Sequence, residues 1–394
     1  MPYKIIENPA KKRLVESECD ISFVDKKTAE GIREFHKSFP QYKETPLYQL
    51  TSLAKNLGVE NIFVKDESPR FGLNAFKVLG GSYAIGNIIA EKTGEKIENL
   101  SYEKIISKEW AEKTGKLTFI SATDGNHGRG VAWTARKLGQ NCVIYMPKGS
   151  ALERLENIKK ENAQACITDY NYDDSVRLAA KDAQKNNWIL VQDTSWEGYE
   201  KIPRWILQGY STLSLEILEQ LQGKKPSHIF LQAGVGSFAS SVIGFFANVY
   251  GEEKPIITIV EPNAADCIFK TLQADDNKIH PVTGEMKTIM AGLACGEPVS
   301  IGINLLRKYV DFAISCPDSA AEKGMRVLAK AQEGTSIVSG ESGAAPFGCI
   351  YQILTDSSLA DMKEKLRITE KSSLLFISTE GDTDKENYKK ILGK

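Results

Sequence analysis

The chain has 394 residues, 42% hydrophobic and 26% charged, with 50 basic side chains against 51 acidic ones. A net charge of -1 leaves no basic excess to hold nucleic acid or an anionic membrane, so neither is expected as a partner. The N-terminus lacks the apolar core of a signal peptide, and no apolar run reaches the ~20 residues of a bilayer span, which leads to the expectation of a cytoplasmic globular protein of two to three domains.

The seven cysteines, Cys19, Cys142, Cys166, Cys267, Cys295, Cys316 and Cys349, are scattered and include no Cys-x-x-Cys pair. They support neither a zinc site nor a disulfide framework, and most read as small buried hydrophobes in a reducing compartment. One bridge, for example between Cys267 and Cys295, stays open.

Residues 1–45 are mixed and weakly periodic and read as an extension that packs on the body. Residues 50–57 read as a short helix ended by Gly58, and Ile62-Phe63-Val64 as a short strand followed by the charged Lys65-Asp66-Glu67. The stretch Asn74-Ala75-Phe76-Lys77-Val78-Leu79-Gly80-Gly81-Ser82 places a lysine in an apolar run. Burial would lower its pKa and free an amine able to attack an aldehyde, and the two glycines leave room for a ring or phosphate. The plainer reading is a lysine snorkelling at a helix start. Residues 83–91 look helical, and 92–116, rich in Lys and Glu, read as a solvated helix with a flanking loop.

From 117 strands alternate with helices. Strands are expected at 117–122, 141–146, 166–168 and 188–191, which implies right-handed crossovers and a parallel sheet. Asp124-Gly125-Asn126-His127 follows the first of them. Asp124 is a candidate base and Asn126 a candidate donor to a phenolate-like oxygen, but an Asp-Gly turn capping the next helix fits equally. His127 reads as part of that helix start, and Asp173 or Asp174 as the cap of the helix after. Asp193, behind the fourth strand, is a base or another cap.

The second block opens with a helix after Pro203, whose Ile206, Tyr210, Leu213, Ile217 and Leu221 share one face. A strand at 228–231 leads into Gly234-Val235-Gly236-Ser237 and a helix at 238–250. Two glycines before a helix start suit a phosphate. The same residues match a dinucleotide fingerprint, with Ala239 in its last place and Glu261, after the strand at 256–260, as the ribose-binding acid. A purely structural turn is the third reading. Ser339-Gly340-Glu341-Ser342-Gly343 touches a ligand or only turns the chain, and a late strand at 374–377 ends in Ser378-Thr379. Asp124, Asp193, Gly234 and Thr379 each follow a strand, where open parallel sheets gather ligands.

In order, Thr45-Pro46-Leu47, Val64-Lys65-Asp66-Glu67, Phe76-Lys77, the asparagine turn, the glycine turn and Ser378-Thr379 resemble the fold-type II, tryptophan synthase β-like, pyridoxal phosphate enzymes. Phe71-Gly72-Leu73-Asn74-Ala75-Phe76-Lys77, Ala122-Thr123-Asp124-Gly125-Asn126-His127-Gly128, Gln192-Asp193-Thr194 and Met290-Ala291-Gly292-Leu293-Ala294-Cys295-Gly296 are similar to the branch acting on 2,3-diaminopropionate. The resemblance covers roughly residues 45–381. It implies an α/β fold of two open parallel-sheet domains with pyridoxal 5'-phosphate in the cleft between them. The large domain would comprise 1–91 and 193–394, and the small domain 92–192 would be inserted in it. Lys77 would hold the cofactor as an imine, Gly234, Val235, Gly236 and Ser237 its phosphate, Asn126 its O3′, and Thr379 its pyridine nitrogen. Related dehydratases usually have serine where this chain has Asp124. The implied reaction is α,β-elimination of a small amino acid, 2,3-diaminopropionate, with Asp124 as base for the D- and Asp193 for the L-enantiomer, in a homodimer without metal. A serine or threonine dehydratase on the same scaffold is the alternative.

Overall fold

Apolar runs without alternation build strands covered on both faces, and such strands make parallel sheets. A computed structural model describes residues 2–12, 19–330 and 334–393. The chain begins with β1 (Lys4–Glu7), α1 (Lys26–Lys37), β2 (Leu47–Gln49), α2 (Thr51–Leu57), β3 (Asn61–Asp66) and α3 (Val78–Thr93). Next come α4 (Tyr102–Ile106), α5 (Lys108–Thr114), β4 (Thr118–Ala122), α6 (Asn126–Lys137), β5 (Asn141–Met146), α7 (Leu152–Lys159), β6 (Gln164–Ile167), α8 (Tyr172–Asn186) and β7 (Ile189–Leu190). The chain continues through α9 (Lys201–Gln220), β8 (His228–Gln232), α10 (Ser237–Tyr250), β9 (Ile256–Pro262), α11 (Cys267–Ala274), α12 (Ser300–Tyr309) and β10 (Phe312–Cys316). It closes with α13 (Asp318–Leu328), α14 (Glu341–Thr355), α15 (Ala360–Lys365), β11 (Ser373–Ser378) and α16 (Lys385–Leu392).

Two sheets result. Seven strands lie in the order β1-β10-β9-β8-β11-β3-β2, and four in the order β6-β5-β4-β7. All pairings are parallel except the two at the edges of the larger sheet, where β1 runs against β10 and β2 against β3. Every residue of β8, β10 and β11 is buried, as parallel strands between helical layers require.

Two expectations need correcting, on the Lys- and Glu-rich segment and on the cap of α8, while the first 45 residues pack on the body as expected: β1 adds a strand to the large sheet, and α1, capped by the Asp25 carboxylate on the Thr28 N–H, buries Ala29, Ile32, Phe35 and His36. Residues 13–18 of that stretch lie outside the described residues. The Lys- and Glu-rich segment is two short helices that bury Ile105 and Trp110. The cap of α8 is Asn171, which accepts from the Asp174 N–H, while Asp173 and Asp174 sit in the first turn where carboxylates favour the helix dipole. All seven cysteines are free, Cys267 and Cys295 included.

The place of Lys77 is fixed by close helix contact. It is the residue before α3, and 14 of the 16 α3 positions are buried. A β-carbon on Gly80 would lie 2.6 Å from the Ile206 side chain, one on Gly209 2.4 Å from the Leu79 carbonyl, and one on Gly130 2.9 Å from the Val78 nitrogen. The α3, α9 and α6 backbones therefore meet at the start of α3, and a methyl group at any of these points costs about 1–3 kcal/mol or more.

Behind β3 lies a buried charge cluster. The Lys65 ammonium donates to Glu216 Oε2 (2.7 Å), the Thr45 carbonyl (2.7 Å) and Gln220 Oε1 (2.9 Å). The Arg70 guanidinium donates to both Glu67 oxygens (2.8 Å each) and to Glu216 Oε1 and Oε2 (2.8 and 2.7 Å). Burial opposes the charge on Glu216, but Arg70 and then Lys65 outweigh it and hold its carboxyl well below the usual range.

Candidate active site

The carboxyl ends of β4, β7, β8 and β11 converge on one cavity between the two sheets. The strand-end residues Asp124, Asp193, Gly234 and Thr379 all line it, as do Lys77 and Asn126. The expectation drawn from strand ends is thus met by side chains from both sheets.

Lys77 Nζ donates to Asp193 Oδ2 at 2.9 Å and stands 3.9 Å from Asp124 Oδ1. Burial opposes the ammonium, but Asp193 and then Asp124 outweigh it, and its pKa is raised well above the ordinary lysine value. The expectation that burial alone would free the amine is therefore overturned, because two carboxylates share the pocket. The same balance holds Asp193 far below the usual carboxylate range: burial opposes its charge, and Lys77 and His127 favour it.

Asp193 is held from three further sides. The Tyr172 hydroxyl donates to Oδ1 (3.2 Å), and Gln192 Nε2 donates to the same hydroxyl oxygen (3.0 Å). Ser237 Oγ donates to the Asp193 carbonyl (2.6 Å), joining the glycine turn to this segment. His127 is 1% exposed, with Nε2 on the Val191 carbonyl (2.8 Å) and Nδ1 3.9 Å from Asp193 Oδ2. Asp124 faces Lys77 on one side and Arg154 on the other, with Arg154 Nη1 3.5 Å from Oδ2.

The glycine turn enters α10 through Gly236 at φ 98°, the left-handed region, and no side chain caps the helix start. Its free first-turn N–H groups suit an anion. Glu261 does not serve it as a ribose acid. Its carboxyl accepts the N–H groups of Ile268 (2.9 Å) and Phe269 (2.6 Å) at the start of α11, and burial pushes its pKa up to about 8. The dinucleotide reading thus loses its acidic partner.

Asn126 Nδ2 donates to Glu380 Oε2, which leaves its second N–H for a ligand. Thr379 Oγ1 accepts from Gln232 Nε2 (2.6 Å), so the threonine's own hydrogen is free to be donated. Ser342, in the first turn of α14, accepts the Gly292 N–H (3.1 Å) at the cavity wall. Tyr172, Tyr210, Gln232, Glu380 and Arg154 escape sequence reasoning, since each comes from a different element. A strand-end rule could have found Gln232 and Glu380.

The cavity is not self-satisfied. Asp124 Oδ2, Tyr210 Oη and Gln232 Oε1 are buried without a hydrogen-bond partner. Unpaired buried polar atoms are costly, and around a cavity they point to a polar ligand. A lysine, an uncapped helix start and free amide and hydroxyl donors fit an aldehyde that carries a phosphate and a ring oxygen.

Residues 39–378 match the family model described as "Pyridoxal-phosphate dependent enzyme". The chain belongs to this family. Pyridoxal phosphate is its cofactor. Among its relatives, the diaminopropionate ammonia-lyase of Salmonella typhimurium is 48% identical over 94% of this chain and 93% of its own. Two crystal structures of the Escherichia coli diaminopropionate ammonia-lyase, one in complex with D-serine and one with an aminoacrylate-PLP azomethine reaction intermediate, superpose with TM-scores of 0.91 and 0.90. They are 44% and 45% identical to this chain, and each match covers 99% of it and 97% of the solved chain. The fold is the α/β fold-type II architecture of pyridoxal-phosphate dependent enzymes.

Proposed function

We propose that this pyridoxal-phosphate dependent enzyme eliminates ammonia from 2,3-diaminopropionate, a C–N lyase reaction. The observation that carries the reading is the pair of carboxylates, Asp193 and Asp124, at 2.9 and 3.9 Å from Lys77 Nζ. The high identity with diaminopropionate ammonia-lyases supports it over the dehydratase alternative.

Lys77 would carry the cofactor, residues 234–237 would hold its phosphate, Asn126 its ring oxygen, and Thr379 its ring nitrogen through the free hydroxyl hydrogen. When bound, pyridoxal phosphate draws electrons away from the substrate's α-carbon. Asp124 and Asp193 each serve as base for the Cα proton of one enantiomer, Asp124 for D and Asp193 for L. Their negative charge also attracts the substrate's second ammonium, which the hydroxyl of serine lacks. The Cβ–N bond breaks with the electron pair leaving on nitrogen, which departs as ammonia. The enamine left behind takes up one water and yields pyruvate and a second ammonia.

We further propose that residues 92–192 form a small domain inserted in the large one, and that the enzyme works as a cytoplasmic homodimer. Among the described residues no helix is long and apolar enough to cross a membrane. Pyruvate release from D- and L-diaminopropionate and from serine tests the reading, in wild type and in Asp124→Asn and Asp193→Asn. Each variant should lose mainly one enantiomer. A preference for serine over diaminopropionate would make the protein a dehydratase.

A further inference from the structure

The two candidate bases have unequal surroundings. Asp193 meets one full cation, Lys77, and otherwise the neutral Tyr172 hydroxyl and the His127 ring. The His127 ring is fixed by Nε2 on the Val191 carbonyl, with Nδ1 3.9 Å from that carboxylate. Asp124 meets two cations, Lys77 at 3.9 Å and Arg154 at 3.5 Å. Asp193, Tyr172 from α8, Tyr210 from α9, Cys295 and Glu380 also surround this part of the cavity, and none of them is a cation. Arg154 is shared: Glu380 favours its charge most, then Asp124, Glu341 and Asp384. In any state where the Lys77 nitrogen gives up its proton, Asp124 keeps a permanent positive neighbour and Asp193 does not.

Arg154 is built into place. It is 6% exposed, on α7 of the small-sheet unit. Nη1 also points at the Asp124 carbonyl (3.5 Å), and Nη2 donates to Thr383 Oγ1 (3.2 Å) on the segment after β11 of the large sheet. The neighbouring Glu153 accepts the Lys385 N–H (3.0 Å). A β-carbon on Gly125 would lie 3.0 Å from Arg154 Cδ, so the guanidinium stem packs on the backbone of the Asp124 turn. Nε has no hydrogen-bond partner, so the side chain is held for its charge and its two Nη contacts rather than for complete satisfaction.

We propose that Arg154 is a positioning residue for one branch of the reaction, holding the Asp124 carboxylate turned to the cavity so that the two enantiomers are processed by separately positioned bases. The inference rests on Asp124 and Asp193 acting as separate bases. The Arg154 Nη2 contact with Thr383 separately joins α7 to the segment after β11.

The test measures kcat and KM for D- and L-diaminopropionate in wild type, Arg154→Gln, Arg154→Lys and Thr383→Ala. Arg154→Gln removes the guanidinium 3.5 Å from Asp124 and should lower kcat for D at least about tenfold more than for L. Arg154→Lys should restore the D activity. In the cofactor-free protein, backbone amides 383–385 should exchange hydrogen faster in both Arg154→Gln and Thr383→Ala, while Thr383→Ala keeps the wild-type ratio of D to L turnover. Equal losses on both enantiomers would reduce Arg154 to a structural strut and overturn the proposal. If Arg154→Gln does not fold, Arg154→Lys decides: retained D selectivity supports the charge role, and a D-specific collapse at a normal melting temperature refutes it. Failure of Asp124→Asn to discriminate the enantiomers would instead overturn the underlying base assignment.

Discussion

Two lysines twelve residues apart, Lys65 fully buried and Lys77 partly so, show two uses of the same chemistry. Lys65 sits in a closed cluster with Glu67, Arg70 and Glu216, whose four side chains are 0% exposed in their ion pairs. Lys77 sits in an open cluster with Asp124 and Asp193, beside a cavity and three unpartnered polar atoms. Burial of charge is common to both, so burial does not mark function. The difference is saturation: the first cluster has spent its donors and acceptors on the protein, and the second keeps them for something that arrives.

The largest effect should come from the open cluster. Lys77→Ala should cut turnover by about 10⁴-fold or more, as loss of a covalent catalytic group does, and abolish the cofactor's visible imine absorbance. The melting temperature should move little. A variant that unfolds would blur the contrast by making Lys77 structural as well.

Breaking the closed cluster should do the converse. Glu216→Ala leaves Arg70 and Lys65 without their shared anion, at a cost of about 3–5 kcal/mol read from urea midpoints. Turnover per folded molecule should hold near wild type. Smaller and more selective are the aspartate exchanges, each expected to lower kcat by about 10²–10⁴-fold for one enantiomer, measured by pyruvate release.

A third buried carboxyl sharpens the comparison. Glu261 is saturated by backbone N–H groups but has no cation, and its folded pKa is raised to about 8. Between its unfolded value of about 4.3 and 8 the native state holds a proton that the unfolded state has released, so stability falls as pH rises through that window. Glu261→Gln should flatten this slope in denaturation midpoints taken from pH 5 to 8. A slope unchanged from wild type would mean that the glutamate is already ionised in the fold.

The sequence made the open cluster easier to read than the closed one. Lys77, Asp124, Asp193 and the glycine turn each lie at a strand end or helix start, where local pattern carries meaning. Lys65-Asp66-Glu67 read as a charged stretch after a short strand, yet β3 runs through Asp66 and Lys65 is 0% exposed. Its explanation, Glu216, lies 151 residues away on α9. Arg154 was hidden for the same reason: its contacts with Asp124 and Thr383 cross the fold and leave no period in the sequence. The ion-pairing that keeps Lys77 charged was equally invisible, because burial could be inferred locally and the carboxylates' approach could not. The early strand β1 was missed because four residues at a sheet edge are too few to show alternation.

The order of strands has a consequence for how the protein is made. β11, the last strand in the chain, lies inside the large sheet between β8 and β3. Until it leaves the ribosome, the early piece of the sheet (β2 and β3) and the later piece (β8, β9 and β10) have no shared strand and present bare parallel edges to each other and to the cell. Nascent chains grow at about 5–20 residues per second, and exposed edges of this kind invite association. The same strand delivers Thr379 to the pocket, so the cofactor site is completed only when the sheet is. A chain cut short before β11 would lack the centre of its large sheet and the Thr379 wall of the cavity.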